Sequence, residues 1–221
     1  MRSFSIMLIA LVLCVGHASG QTPTNPPSTA SSAPAITEDA ARSWSYSATV
    51  YSYLLPGEAN YGQPTMTADR GWVHLEGRYN YENLDTGSAW VGYNVSGGHT
   101  LAWEVTPMIG GVFGGTDGIA PGCKASLGWW KLELYSEGEY VFDVSGSSDS
   151  FFYNWSELTI APVSWFRAGM VTQRTRVYET DRDIQRGFLV GFSYKALSVT
   201  TYVFNPDDSK PTMVLGAGVT F

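Results

Sequence analysis

The stretch Pro211-Thr-Met-Val-Leu-Gly-Ala-Gly-Val-Thr-Phe221 decides the fold class, because its residues alternate between two kinds. Successive side chains of an extended chain point to opposite faces. One face carries only threonine, glycine and a single valine. The other face is apolar and carries Met213, Leu215, Ala217, Val219 and Phe221. The stretch therefore predicts a β-strand with one apolar wall and one small, mostly polar wall.

This strand resembles the closing strand of bacterial outer-membrane β-barrels. In that family the alternating apolar residues and a terminal Phe form the signal that the barrel-insertion machinery reads. The resemblance implies that Met213, Leu215, Ala217, Val219 and Phe221 serve as such an insertion signal. An edge strand of a soluble sandwich that ends on Phe is the alternative that this stretch leaves open.

Composition fits a charge-poor all-β chain. Charged residues make up 15% of the 221 residues, against about 25% in an ordinary soluble domain. Aromatic residues reach 14%, with eight Trp and thirteen Tyr, and there are 24 Gly. Such a composition is typical of a transmembrane barrel, whose strands give a weak signal one by one, and also of a soluble β-protein. The net charge of −7, without a basic cluster, argues against nucleic-acid binding.

The amino-terminal residues predict export. Residues 1–20 contain Arg2, a short apolar run and the small residues Ala18-Ser19-Gly20, which together are typical of a cleaved signal peptide. Residues 21–42 are rich in Pro, Ser, Thr and Ala, and we interpret them as a flexible periplasmic leader. Cleavage leaves Cys123 alone, so no internal disulfide can form, and we interpret it as a small apolar wall residue.

From Trp44 onwards the hydrophobic period is two, and no segment keeps a helical period. Short connections alternate with longer ones rich in Gly, Asp, Ser and Pro, as periplasmic turns and external loops do in bacterial barrels. The longer connections are expected near 55–60, 83–87, 114–121, 144–149, 178–183 and 206–210. Both termini return to the same side of the membrane only if the number of strands is even, which requires a separate strand over Tyr61–Asp69. Residues 43–221 therefore predict an antiparallel up-and-down barrel of twelve strands, with ten as the alternative.

Two turns fix the register. A two-residue turn at Trp130-Lys131 pairs Trp129 with Leu132 outside and places Lys124 opposite Glu137 inside. A turn at Lys195-Ala196 likewise pairs Tyr194 with Leu197 outside. The inward positions then include six glutamates, three basic residues and a histidine, predicted to line the lumen: His74, Glu76, Arg78, Glu104, Lys124, Glu133, Glu137, Glu139, Glu157 and Arg167. Further inward positions are Trp72, Trp90, Asn94, Tyr135, Tyr153 and Gln173.

The inner wall has two interpretations. Ion pairs such as Lys124–Glu137, and Arg167 diagonal to Glu157, would brace or partly plug the lumen. Alternatively, the surplus of carboxylates would line a narrow aqueous pore that favours cations. From Trp44 to Phe221 the chain resembles porin-like outer-membrane β-barrel proteins in pattern and ending, without a diagnostic motif. That resemblance implies passive channel activity in a general sense, in the outer membrane of a Gram-negative bacterium.

Enzymatic chemistry is not indicated. His74 could act as a general base beside Glu76, but no Ser lies in a motif that links it to this histidine, so a satisfied lumen residue is the simpler interpretation. The sequence has no H-E-x-x-H, C-x-x-C, G-x-S-x-G or phosphate-loop motif, so no catalytic residue, metal or cofactor is assigned. The expected partners are outer-membrane lipid, the insertion machinery and small hydrophilic solutes. The alternatives are a non-conducting structural or surface-binding barrel and a soluble secreted β-protein that binds an apolar ligand.

Overall fold

The computed structural model describes residues 43–144, 146, 150–174 and 184–221, so the predicted signal peptide and leader (1–42) lie outside the described residues. The described ranges form antiparallel strands β1 (Ser45–Leu54), β2 (Tyr61–Arg70), β3 (Val73–Tyr79), β4 (Thr86–Tyr93), β5 (Val95–Gly97), β6 (Leu101–Gly114), β7 (Gly118–Trp129), β8 (Leu132–Asp143), β9 (Phe151–Val163), β10 (Phe166–Arg174), β11 (Gln185–Tyr194), β12 (Leu197–Phe204) and β13 (Thr212–Thr220). None of these ranges contains a helix long and apolar enough to cross a membrane.

The sheet closes on itself. β1 pairs with β13 from Ser47↔Thr220 to Leu54↔Met213, and β4 pairs with β6. β5 continues the register of β4 against β6, since Gly92↔Met108 and Val95↔Val105 are in step across Asn94. β4 and β5 are therefore one strand interrupted at a single residue. The predicted closed barrel of twelve strands is confirmed.

The apolar side chains point outward. Val91 is 52% exposed on the outer face of β4, whereas Glu76 on the inner face of the neighbouring strand is 6% exposed. The same alternation continues along β11, where Phe188 and Val190 are exposed and Leu189 is buried. A soluble sandwich would bury the apolar face and expose the charges. The faces thus have the orientation expected for a barrel surrounded by lipid.

Short turns meet at one end of the barrel, here called the turn end, and longer loops at the other, the loop end. The predicted pairs Trp129↔Leu132 and Tyr194↔Leu197 are present. Trp130 and Lys195, the first residues of these two turns, both have positive φ, at 56° and 54°. A left-handed residue at this position gives the hairpin the right-handed twist of its strands.

Two local predictions were wrong. The connection between β6 and β7 spans residues 115–117 and not 114–121, because Gly118 to Pro121 already pair within the sheet. Trp72 was expected to face the lumen. It lies instead in the turn between β2 and β3, is 61% exposed, and packs its ring 5.3 Å from that of Tyr93. Side chains in a two-residue turn do not follow the alternation of the strands, so the odd or even position of Trp72 did not predict its direction.

Candidate functional site: the barrel lumen

The predicted lumen-lining residues all lie on the inward face of their strands. Five are buried: His74, Glu76, Arg78, Glu139 and Glu157. Five are half-buried: Glu104, Lys124, Glu133, Glu137 and Arg167. The predicted insertion-signal residues belong to β13 and the residue after it, and Met213, Leu215 and Phe221 are exposed on the outer face. The reading of this segment by an insertion machinery remains a prediction.

Near the turn end, His74 on β3 is held between two carboxylates. Its Nδ1 lies 2.7 Å from Oδ1 of Asp69, and its Nε2 lies 2.9 Å from Oε2 of Glu76. Asn94 donates to the same Asp69 oxygen at 2.9 Å and accepts from Thr106 at 2.7 Å. Both ring nitrogens of His74 therefore contact acids, which leaves no nitrogen for activating a hydroxyl nucleophile.

Midway along the lumen, Lys124 on β7 reaches β3, which lies three strands away around the barrel. Its Nζ donates to Oε2 of Glu76 on β3, while Oε2 of Glu137 lies 3.9 Å away. The predicted pairing of Lys124 with Glu137 across β7 and β8 is present, but the closer partner of Lys124 is Glu76. A long side chain that points into a narrow barrel reaches across it, and strand register does not predict such contacts.

Closer to the loop end, Arg78 is the centre of an ion network. Its Nε donates to Glu76 at 2.6 Å and its Nη1 to Glu139 at 2.7 Å, with Glu82 at 3.7 Å. The guanidinium also lies over two aromatic rings, 4.1 Å from the centroid of Tyr81 and 4.6 Å from that of Trp90. A planar guanidinium that donates to two carboxylates and contacts two aromatic rings suits arginine better than lysine.

Glu82 is a member of this network that the sequence did not reveal. It lies in the loop between β3 and β4, and its carboxyl is fully buried. One oxygen accepts from Ser88 at 2.5 Å, and the other, Oε2, has no hydrogen-bond partner. Burial raises the pKa of Glu82, while the charge of Arg78 and the bond from Ser88 oppose that rise.

A second network lies across the lumen around Glu157 on β9. Arg167 donates to it at 2.8 Å, as the predicted diagonal pair requires. The indole of Trp155 and the hydroxyl of Tyr202 both donate to its other oxygen, each at 2.9 Å. Arg167 also donates to Thr200 at 3.1 Å. This acid is fully satisfied, so it braces β9, β10 and β12 against one another.

The loop half of the lumen is packed with aromatic and aliphatic side chains, here called the loop-side plug. Its members are at most 5% exposed: Tyr53, Tyr81, Tyr153, Trp155, Val171, Leu189, Tyr202, Phe204 and Val214. The rings of Tyr81 and Tyr153 lie 4.8 Å apart, and that of Trp155 lies 5.5 Å from Phe204. Eight of them lie at inward strand positions, and Tyr81 lies in the loop between β3 and β4. The height of the eight along the barrel depends on strand stagger.

The turn half of the lumen keeps a cavity of about 160 Å³, here called the vestibule. Serine, threonine and glycine line one wall, among them Ser47, Thr67 and Gly218, and they reach the turn end of the barrel. The other wall carries Lys124 and Arg167 with their acids.

The outer face and the enclosed charges together define the class. A closed antiparallel barrel with an apolar exterior and an ionised lumen is a transmembrane β-barrel of the outer-membrane type. Among the residues that the structure describes, no group of three His, Cys, Asp or Glu side chains has the arrangement of a metal site.

No family model and no curated protein matches the chain. Among solved structures, it is similar to the crystal structure of the Acinetobacter baumannii outer membrane protein Omp33. The two are 11% identical over 80% of this chain and 98% of that one, with a TM-score of 0.46. The assignment to the class therefore rests on the closure of this barrel and on the chemistry of its two faces.

Proposed function

We propose that this protein is a non-enzymatic barrel of the bacterial outer membrane, with its turn end in the periplasm and its lumen closed towards the outside. The loop-side plug carries this proposal. Its nine side chains are at most 5% exposed. Interiors packed to this extent leave few voids larger than a water molecule. Small hydrophilic solutes enter the vestibule from the periplasm and stop at the underside of Tyr81, Tyr153 and Trp155.

A passive channel for small hydrophilic solutes is the second candidate. The observation that favours it is the vestibule, a polar cavity that covers the turn half of the lumen and ends against the plug. In this case the plug would have to move for conduction. The lumen would then combine a hydrophilic wall with a closed and an open state.

The cation preference predicted from the surplus of lumen carboxylates belongs to the second candidate. The side chains of Lys124 and Arg167 are each 18% exposed, whereas those of Glu76 and Glu157 are 1% and 6% exposed behind them. Glu137, at 13%, is the carboxylate that faces the cavity most directly among these pairs. The acidic and basic groups exposed to the cavity are thus closer to equal in number than the acidic and basic residues of the whole lumen. We therefore expect any cation preference to be weak.

Planar-bilayer recording of the refolded protein tests the proposal. We expect the wild type to be silent and the double variant Trp155→Ala/Phe204→Ala to show conductance steps, because truncating both rings removes the centre of the plug. Phe188→Ala is the matched control, since it truncates an aromatic residue on the outer face. Steady conductance from the wild type would overturn the closed barrel and support the channel.

A further inference from the structure

Three basic residues mark the turn end of the barrel, and each lies over an aromatic ring. The guanidinium of Arg70 is 5.9 Å from the ring centroid of Trp44. The ammonium of Lys131 is 5.4 Å from the ring of Trp130, and that of Lys195 is 5.4 Å from the ring of Tyr194. These residues lie at the ends of β2, β8 and β11, so they are distributed around the rim.

The three cations keep free donors. Lys131 donates one hydrogen bond, to the carbonyl oxygen of Pro162 at 2.8 Å, which leaves two of its three N–H groups. Arg70 and Lys195 make no hydrogen bond or ion pair with any side chain in the described ranges, and their interactions there are with the rings. An unpaired cation over an aromatic face is positioned, yet it can still bind an anion.

The surrounding aromatic residues place this rim at the edge of the bilayer. Several tryptophans at the turn end are exposed: Trp44, Trp72, Trp103, Trp129, Trp130 and Trp165. Aromatic girdles of this kind lie at the level of the lipid headgroups, where one side of the ring is apolar and the other is wet. The basic groups over Trp44 and Trp130 therefore lie at the depth of the phosphates.

The exposed charged side chains at this rim have one sign. The acidic side chains nearest to it, Asp69, Glu104 and Glu133, are buried or half-buried on the inward face. At the loop end, by contrast, basic residues share the surface with exposed acids: Glu58, Asp85, Asp117, Asp207 and Asp208. Arg186 there is paired with Asp207 at 3.4 Å. In the described residues, the turn end thus carries basic side chains over aromatic rings without an exposed acidic side chain on the same rim.

We propose that Arg70, Lys131 and Lys195 form a basic rim that binds the headgroup phosphates of anionic phospholipids. This proposal rests on the proposed function only for the identity of the leaflet, because the proposed orientation places the turn end in the periplasmic leaflet. Each basic group near an anionic lipid surface contributes about 1 kcal/mol, or roughly fivefold in affinity. Three such groups around the barrel would anchor its height and enrich anionic lipid around the turn end.

Lipid retention directly measures the binding of anionic phospholipid by the basic rim. The full-length protein is reconstituted into nanodiscs of equal parts phosphatidylglycerol and phosphatidylcholine, extracted in mild detergent, and its bound lipids are counted by native mass spectrometry. We expect the wild type to retain phosphatidylglycerol about fivefold over phosphatidylcholine, and the triple variant R70Q/K131Q/K195Q to show no preference. The control R174Q/R186Q/K210Q removes the same number of charges at the loop end and should keep the preference.

Heat-modifiable migration on a gel establishes first that each variant is folded. If the triple variant does not fold, Lys195→Gln is tested alone, since Lys195 is exposed and lies outside the strands. It should remove about a third of the excess phosphatidylglycerol. The wild-type preference should also fall at about 1 M salt, where the Debye length is about 3 Å. Equal retention of both lipids by the wild type, or an equal loss in the control, would overturn the basic rim.

The result does not depend on whether the barrel conducts. A nanodisc presents the same lipids at both faces, so the outcome is also independent of which end faces the periplasm. A conducting wild type with a clear lipid preference would refute the closed lumen and leave the basic rim intact. A silent wild type without lipid preference would refute the basic rim and leave the closed lumen intact.

Discussion

Removing the guanidinium of Arg78 should destabilise the barrel more than any other single change in the lumen. Arg78→Met leaves Glu76 and Glu139 without their bonds at 2.6 and 2.7 Å, and Glu82 without its nearest cation. Breaking one buried ion pair from one side typically costs about 3–5 kcal/mol. Because Lys124 still contacts Glu76, the uncompensated charge is concentrated on the other two acids. We therefore expect a loss of about 4 kcal/mol.

Urea unfolding of the refolded protein in lipid vesicles, followed by heat-modifiable migration, gives the free energy of unfolding. The rescue variant R78M/E82Q/E139Q removes the two stranded charges and should recover at least half of the loss. Arg78→Lys keeps the charge but loses the planar fork and the stacking on Tyr81 and Trp90, so an intermediate loss is expected. A loss below about 1 kcal/mol for Arg78→Met would refute the role given to this network.

The remaining predictions concern a glycine and a loop acid. Gly110→Ala should lower the free energy of unfolding by about 1–3 kcal/mol, because the added Cβ would overlap the buried ring of Trp90. The adjacent Gly111 has open space around it, so Gly111→Ala should be neutral or slightly stabilising in the same urea assay. The raised pKa of Glu82 means that it favours the folded state at low pH and that this contribution is lost as pH rises through the folded-state pKa. The midpoint of the wild type should thus fall relative to that of Glu82→Gln as pH rises above 4.5, and parallel midpoints from pH 4 upwards would contradict the burial of this carboxyl.

The sequence determined the two faces and the register because both follow from a period of two. Alternation assigned Phe188 to the outside and Arg167 to the inside. The two-residue turn at Trp130-Lys131 then placed Lys124 opposite Glu137. These are contacts between neighbouring strands, and each depends on a few consecutive residues.

Contacts across the lumen could not be predicted from the alternation of residues and the position of turns. Arg78 and Glu139 are 61 residues apart in sequence, on strands β3 and β8 that lie four strands apart around the barrel, and their side chains meet inside the lumen. Glu82 follows no alternation, since it lies in a loop that enters the barrel. The plug was missed for a related reason. Its eight strand residues alternate correctly with their outward neighbours, but strand stagger decides that they share one height. Tyr81 lies, like Glu82, in the loop between β3 and β4.

The central claim is that the apolar face lies in lipid and that the charges are enclosed. Spin labels test it most directly, in a Cys123→Ser background, at Met170→Cys on the outer face and at Ser198→Cys beside the vestibule. In vesicles we predict that the label at position 170 is relaxed by oxygen, which dissolves in lipid, and that the label at 198 is relaxed by a water-soluble nickel chelate. The reverse pattern, with water at position 170 and none at 198, would contradict the membrane assignment.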